Sequence, residues 1–225
     1  DCPHLDWPED ARQTVHLGEE LTAADFEIEA PEGANSARVK VIGVVENQAP
    51  TEALVKELPV IDGLVEGEGG TCQIALVERH RATGGVVNAF VSGFNYEGRM
   101  AMASTVAHDS HHMIVVGTDR ENMALAAMRL GEVGGGVTFY KDAEEQALVE
   151  LPIAGLMSDS PAHEVAAKAD RLVAAMAASG CRLNNAYMQH SLLALPVIPA
   201  LRISDLGLVD VSTFQLTSLF AEEPA

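Results

Sequence analysis

Ser104-Thr-Val-Ala-His-Asp-Ser-His-His-Met-Ile-Val-Val-Gly-Thr118 sets five consecutive polar residues, His108, Asp109, Ser110, His111 and His112, between two apolar runs. The second run, Met113 to Gly117, reads as a buried strand, and Thr118-Asp119 after it reads as the start of a helix. Imidazoles and a carboxylate at a strand end are costly to bury without partners. If the strand continues backward in extended form, His108, Ser110 and His112 share one face and Asp109 and His111 the other. Asp109 beside His111 would then suit general acid/base work or the orientation of a metal ligand. The alternative is a hydrogen-bonded polar turn that caps the strand Met113 to Val116.

Outward from this stretch, strands and helices alternate without a repeating unit. Toward the N-terminus, Met100 to Val106, Val86 to Val91 and Thr71 to Val77 read as apolar strands, the last delivering Glu78, Arg79 and His80 at its end. Gly63 to Gly70 is rich in Gly and Glu and reads as a loop. Thr51 to Leu58 reads as a short surface helix or an irregular segment. Ala37 to Val45 alternates as a strand should, and Thr22 is placed to cap a short turn over Ala23 to Phe26. Toward the C-terminus, Asp119 is an N-cap for a helix running to Leu130 and stopping before Gly131 or at Gly134-Gly-Gly136. The triple glycine lacks the Lys-Ser/Thr of a phosphate loop and the spacing of a dinucleotide fingerprint, so a helix-to-strand turn is its simplest role. Val137 to Tyr140 and Ala147 to Leu151 form a hairpin. Ser160-Pro161 opens an Ala-rich helix over about residues 162 to 179, with Ser160 as N-cap and an apolar stripe of Val165, Leu172, Val173 and Met176. A further helix spans about Tyr187 to Leu195, before Pro196 and Pro199. The reading is an α+β fold of short mixed β-strands packed by a few helices. Residues 1–70 are expected to be a linker with a small β segment, and residues 71–225 the main α+β domain.

Composition narrows the partners. A formal net charge of -19, with no basic run, argues against a nucleic-acid backbone or an anionic membrane. Hydrophobic residues make up 48% of the chain and aromatic residues only 4%, so the core must be aliphatic and rich in Ala. No apolar segment approaches the roughly 20 residues that span a bilayer. Cys2, Cys72 and Cys181 are too few and too scattered for a disulfide framework, and none lies in a Cys-x-x-Cys pattern. Reduced thiols and a cytoplasmic location are the expectation. The chain does not begin with Met, which points to a fragment, a processed product or an excised domain.

Two clusters are candidates for chemistry. His108, Asp109 and His111, with Ser110 among them, form one; Glu78 and His80, with Arg79 between them, form the other. Arg79 serves either a substrate or a structural ion pair. Asn47 and Asn88 are candidates for hydrogen bonding to a polar heterocycle. Both clusters sit at strand ends, so the expectation is that Glu78, His80, His108, Asp109 and His111 converge on one concave site. His163 and His190 are expected to be surface or satisfied core residues.

The segment Ala107-His-Asp-Ser-His-His-Met-Ile-Val-Val-Gly-Thr-Asp119 resembles the signature of the C-terminal domain of bacterial adenine deaminases. Further segments agree in the same order: Val45-Glu-Asn-Gln48, Ala75-Leu-Val-Glu-Arg-His80, Gly131-Glu-Val-Gly-Gly-Gly136, Leu151-Pro-Ile-Ala-Gly-Leu-Met-Ser158, Leu193-Ala-Leu-Pro-Val-Ile-Pro199 and Ile203-Ser-Asp-Leu-Gly-Leu-Val-Asp-Val211. The resemblance implies hydrolytic deamination of adenine to hypoxanthine and ammonia, helped by a divalent metal (Mn, Fe or Zn) in a full-length protein. It also implies a preceding amidohydrolase barrel, which needs about 200 residues or more. This sequence has no His-x-His on an early strand, so no metal ligand is expected in this chain and little activity is expected of it alone. A purine base is the implied substrate, and association with a barrel domain or a homo-oligomer is expected. The alternative is a small standalone enzyme using Glu78, His80, Asp109 and His111 without metal in cyclisation, condensation or lyase chemistry.

Overall fold

In a computed structural model that describes residues 6–222, the long strands form one nine-stranded mixed sheet. The strands are β1 (Ser36–Val44), β2 (Thr51–Ile61), β3 (Leu64–Val65), β4 (Thr71–Val77), β5 (Val86–Ser92), β6 (Met100–Ser104), β7 (Met113–Gly117), β8 (Gly136–Lys141) and β9 (Glu144–Glu150). Their order is β3-β2-β1-β5-β4-β7-β6-β8-β9. Every neighbouring pair is antiparallel except β1 and β5, which run parallel from Val41↔Phe90 to Gly43↔Ser92. That pairing carries the sheet across residue 70, so the β segment before it extends the same sheet. Beyond Val41, the flank of β1 is completed by the chain's last described residues: Lys40 N donates to Leu219 O, Ala221 N donates to Arg38 O, and Val39 bridges Phe220.

Strand β4 shows how sequence becomes layers. All seven of its residues are buried, and they alternate between two cores. Cys72, Ile74 and Leu76 face the core under α2 (Ala162–Ala178), α3 (Ala186–Leu192) and a small sheet of β10 (Leu201–Ser204), β11 (Gly207–Asp210) and β12 (Gln215–Thr217). Ala75 and Val77 face the core under α1 (Arg120–Val133) and the arm bearing Leu17, Leu21 and Phe26. A mostly apolar run, with Thr71 and Gln73 as its polar members, suits a central strand covered on both faces. Asp119 caps α1 as expected, its side chain accepting from Asn122 N at 3.0 Å, and Gly134 ends the helix in the left-handed conformation.

Five expectations are corrected. Thr51 to Leu58 belongs to β2, a strand of 11 residues whose pairing with β1 runs from Ser36↔Pro59 to Val44↔Thr51. Its Glu, Lys and Ala suit the exposed face of an outer strand, and cross-strand pairing outweighs their helical leaning. Leu64–Val65, within the expected loop, form β3 against β2. Ser160 does not cap α2: Pro161 holds the cap position, and no side chain bonds the first turn. The stripe on α2 is narrower than read, with Leu172 and Met176 buried while Val173 stands 58% exposed. α3 is shorter than read, ending at Leu192. His190 on it is fully buried, edge-on to Phe94 at 6.3 Å. Burial pulls its pKa down to about 4, against partial support of the charged form by the Met102 backbone. Cys72 and Cys181 are free and buried, and burial raises the Cys72 thiol to about 12; Cys2 lies outside the described residues. No helix among the described residues is long and apolar enough to cross a membrane.

Candidate functional site

The register of two central strands builds the site. Val77, the last residue of β4, pairs with Met113, the first of β7. Neighbouring strands lie about 4.8 Å apart. The residues just beyond, Glu78-Arg79-His80 on one strand and His112 with the turn before it on the other, therefore leave the sheet side by side.

Each of these residues is held differently. The Glu78 carboxylate folds over its own loop and accepts from His80 N at 2.5 Å, Arg81 N at 2.9 Å, and Thr83 N and Oγ1 at 3.1 Å. Burial alone would raise its pKa, but these donors bring it down to about 2. Glu78 is thus a fixed carboxylate near neutral pH, with its oxygens occupied. Arg79 points the opposite way and is 1% exposed. It donates to His111 O at 2.6 Å, Thr14 O at 3.0 Å, Thr14 Oγ1 at 3.1 Å and Ala154 O at 3.1 Å. It is a structural tie between three segments, made to carbonyls rather than to the ion-pair partner expected. Burial lowers its pKa to about 10. Gly155 leaves room for it, since a Cβ there would lie 2.9 Å from Nη1.

His80 lies 2.8 Å from Ser110 O through Nε2, which makes that nitrogen the protonated one. Its ring stands 4.7 Å from that of His112, tilted by 51°. His112 is only 7% exposed; its Nδ1 is buried without a hydrogen-bond partner, 3.9 Å from Glu78 Oε1, and its Nε2 lies 3.6 Å from Asp205 Oδ2. Burial and His80 lower the His112 pKa, opposed by Asp205 and Glu78. Together these groups border a cleft of about 550 Å³, whose other walls include Arg81, Thr83 and Leu206.

The turn before β7 corrects the extended reading. His108, Asp109 and Ser110 form a turn closed by His111 N donating to Ala107 O at 2.7 Å, so strand alternation does not apply to them. His108 and His111 face each other with ring centres 5.1 Å apart, and His111 Nδ1 accepts from Ala107 N at 3.2 Å. Burial lowers the His111 pKa, His108 and Arg79 add to that, and Asp109 opposes it. Asp109 itself is exposed. The two clusters are therefore adjacent, joined by the bonds from His80 to Ser110 and from Arg79 to His111, but His108, Asp109 and His111 do not line the cleft.

Two expected binding residues lie elsewhere. Asn88 accepts from Gln73 Nε2 at 3.0 Å and donates to Asp25 O at 2.9 Å, which anchors the arm before β1. Asn47 sits in the β1–β2 connection, at the end of the sheet where β4 begins, opposite the end where Glu78 emerges. Asp205 was not among the candidates. Its Ser204-Asp-Leu-Gly207 turn is visible in the sequence, but its meeting with His112 depends on how β10 crosses the main sheet. A metal centre does not fit this donor set: the Glu78 oxygens and His80 Nε2 are already engaged, and no group of three His, Cys, Asp or Glu among the described residues is arranged to hold an ion.

A family model described as "Adenine deaminase C-terminal domain" matches residues 48–215. The adenine deaminase of Ruegeria sp. (strain TM1040) is 78% identical over 96% of this chain, and that of Ruegeria pomeroyi is 75% identical over 97%. A more distant adenine deaminase, from Moorella thermoacetica, is 42% identical over 97%. The chain spans 36% of the length of the first of these relatives and 37% of the other two.

Proposed function

The chain belongs to the adenine deaminase C-terminal domain family, and from that premise we propose that it completes the active site of a hydrolase that converts adenine to hypoxanthine and ammonia. The observation that carries the proposal is the paired emergence of Glu78-Arg79-His80 and the His108–His112 turn at one end of β4 and β7, with Glu78, His80 and His112 bordering a single cleft. Hydrolysis adds water at the ring carbon bearing the amino group, moves a proton to the ring, and expels ammonia, which must leave protonated. An imidazole kept neutral near pH 7 can accept and return such a proton. We assign this role to His112, supported by Asp205 3.6 Å from its Nε2 and by the His80 ring beside it. Glu78 shapes the loop that carries His80, and Arg79 fixes the backbone of His111. His108, Asp109 and His111 form the turn next to the cleft, where they can meet groups brought from outside this chain. A divalent metal in the longer protein would activate the attacking water; its ligands are assigned to the part of the relatives that this chain does not cover. The cytoplasm is the proposed compartment, since the buried Cys72 and Cys181 are unpaired thiols.

The test measures ammonia release from adenine by this chain alone and by a full-length adenine deaminase whose C-terminal part is this chain. Activity is expected only in the longer protein, and His112→Gln is expected to lower its kcat/KM roughly 100-fold, the scale of losing a positioned proton-transfer group. Turnover by the isolated chain on the order of 10 per second, or full activity in His112→Gln, would overturn the proposal.

A further inference from the structure

In the small β10–β12 sheet both faces of β10 are buried, Arg202 being 1% exposed on the face it shares with Val209 and Leu216, while β12 and the turns that flank β11 leave apolar side chains outside. Ile203 and Leu208 are buried beneath it at 0% and 3% exposure. On the outside, Leu206 is 75% exposed and Phe214 71%, more than any other large apolar side chain among the described residues. Leu216, 57% exposed, pairs across the sheet with Val209, and its side chain lies against Gly207. Single exposed apolar residues are ordinary, but a group of them on one small sheet marks an interaction surface.

This patch ends at the candidate site. Leu206 and Asp205, in the turn between β10 and β11, line the cleft beside His112 and His80. The cleft is only partly enclosed, whereas a pocket that handles a small heterocycle encloses most of its surface. No other exposed large apolar residue among the described residues lines it; Val55 and Ile61, for example, lie on outer strand β2, and Val173 and Met188 on α2 and α3.

We infer that the exposed apolar patch of Leu206, Phe214 and Leu216, on β12 and the turns that flank β11, is the docking surface for the larger part of the adenine deaminase polypeptide, and that docking there roofs the His80–His112 cleft. The inference rests on the function proposed above. The occupant follows from two observations. The relatives carry most of their length outside the region this chain matches, and the cleft lacks a converging metal donor set of its own, so whatever covers it must bring chemistry as well as surface. A second copy of this chain would cover the patch without supplying that chemistry.

Hydroxyl-radical footprinting tests this on two proteins, the chain alone and the full-length enzyme carrying it. Oxidation of Leu206, Phe214 and Leu216 should slow at least about fivefold in the longer protein, as for side chains moved into a close-packed interface. Val55 and Ile61 should react equally in both. In the longer protein, the double substitution Leu206→Ser with Leu216→Ser should restore oxidation of Phe214, while the isolated chain keeps its melting temperature. Unchanged oxidation of the three residues, or slowing confined to Val173 and Met188, would overturn the inference. So would equal protection appearing in the isolated chain as its concentration rises, because a second copy would then be the occupant. Protection without adenine deamination would uphold the docking surface and sink the proposed function alone.

Discussion

Arg79→Met is expected to act on the fold before it acts on any substrate. The guanidinium is 1% exposed and donates to three backbone carbonyls, of Thr14, Ala154 and His111, and to the Thr14 hydroxyl. Methionine fills part of the volume and supplies no donor. Bonds from a charged donor contribute about 1.5–3 kcal/mol each, and an acceptor left unsatisfied in the interior costs about 1–3 kcal/mol. Burial of the guanidinium works the other way: it already lowers the pKa to about 10, so removing the charge recovers part of the loss. The net expectation is a destabilisation of about 3–5 kcal/mol, a large share of the 5–15 kcal/mol typical of a domain. Urea unfolding followed by circular dichroism reads this as a lowered midpoint. Arg81→Met, at an exposed neighbour, should stay within about 0.5 kcal/mol. A loss below about 1 kcal/mol for Arg79→Met, with turnover of a full-length enzyme reduced, would show that Arg79 serves a substrate and that the tie described here is incidental.

Glu78→Gln should flatten the acid limb of the stability curve. The folded pKa of Glu78, about 2, lies below its ordinary 4.5, so its stabilisation is complete above pH 4.5 and is lost as pH falls toward 2. The amount is about 3 kcal/mol at about 1.4 kcal/mol per unit, and melting temperatures of both proteins across that window measure it. Gly155→Ala should cost about 1–3 kcal/mol in urea unfolding, because residue 155 has φ of +72° and the new Cβ would meet the Arg79 guanidinium; an unchanged midpoint would mean that the segment moves aside freely. Asp109→Asn should leave stability within about 0.5 kcal/mol, since the residue is exposed. It should push the His111 pKa further down, because the Asp109 charge is what opposes the lowering; a rise seen by NMR titration would refute the assigned geometry.

Where a segment's surroundings follow from its own residues, the sequence is readable. β4 and β7 match to the residue because short, mostly apolar runs bounded by polar turn residues suit strands covered on both faces, the buried Gln73 amide in β4 being satisfied by Phe26 O and Asn88 Oδ1. Asp119 was legible as a cap because the bond it makes is local. β2 was not legible, since Glu52, Ala53, Lys56 and Glu57 lean toward helix and only the distant partner β1 decides otherwise. The same division runs through the site. That two polar clusters stand at strand ends was visible, and the Val77↔Met113 register joins them. That Glu78 would spend its oxygens on its own loop, that Arg79 would turn inward, and that Asp205 would arrive beside His112 depend on contacts between segments far apart in the chain.

The seam between β1 and the last residues also sets the order in which the molecule can be finished. Lys40 and Arg38 find their backbone partners at Leu219 and Ala221, and Thr51 finds its own at Pro199 and Ala200. Contacts of such long sequence separation form late and slow folding. On a ribosome, β1 and β2 emerge long before residues 219–221, and one flank of β1 stays open in between. In that interval it is an unpaired strand edge, able to template any extended segment it meets. Truncation within the final residues would make the interval permanent, and aggregation during synthesis, rather than a weakened native state, is the failure to expect from it.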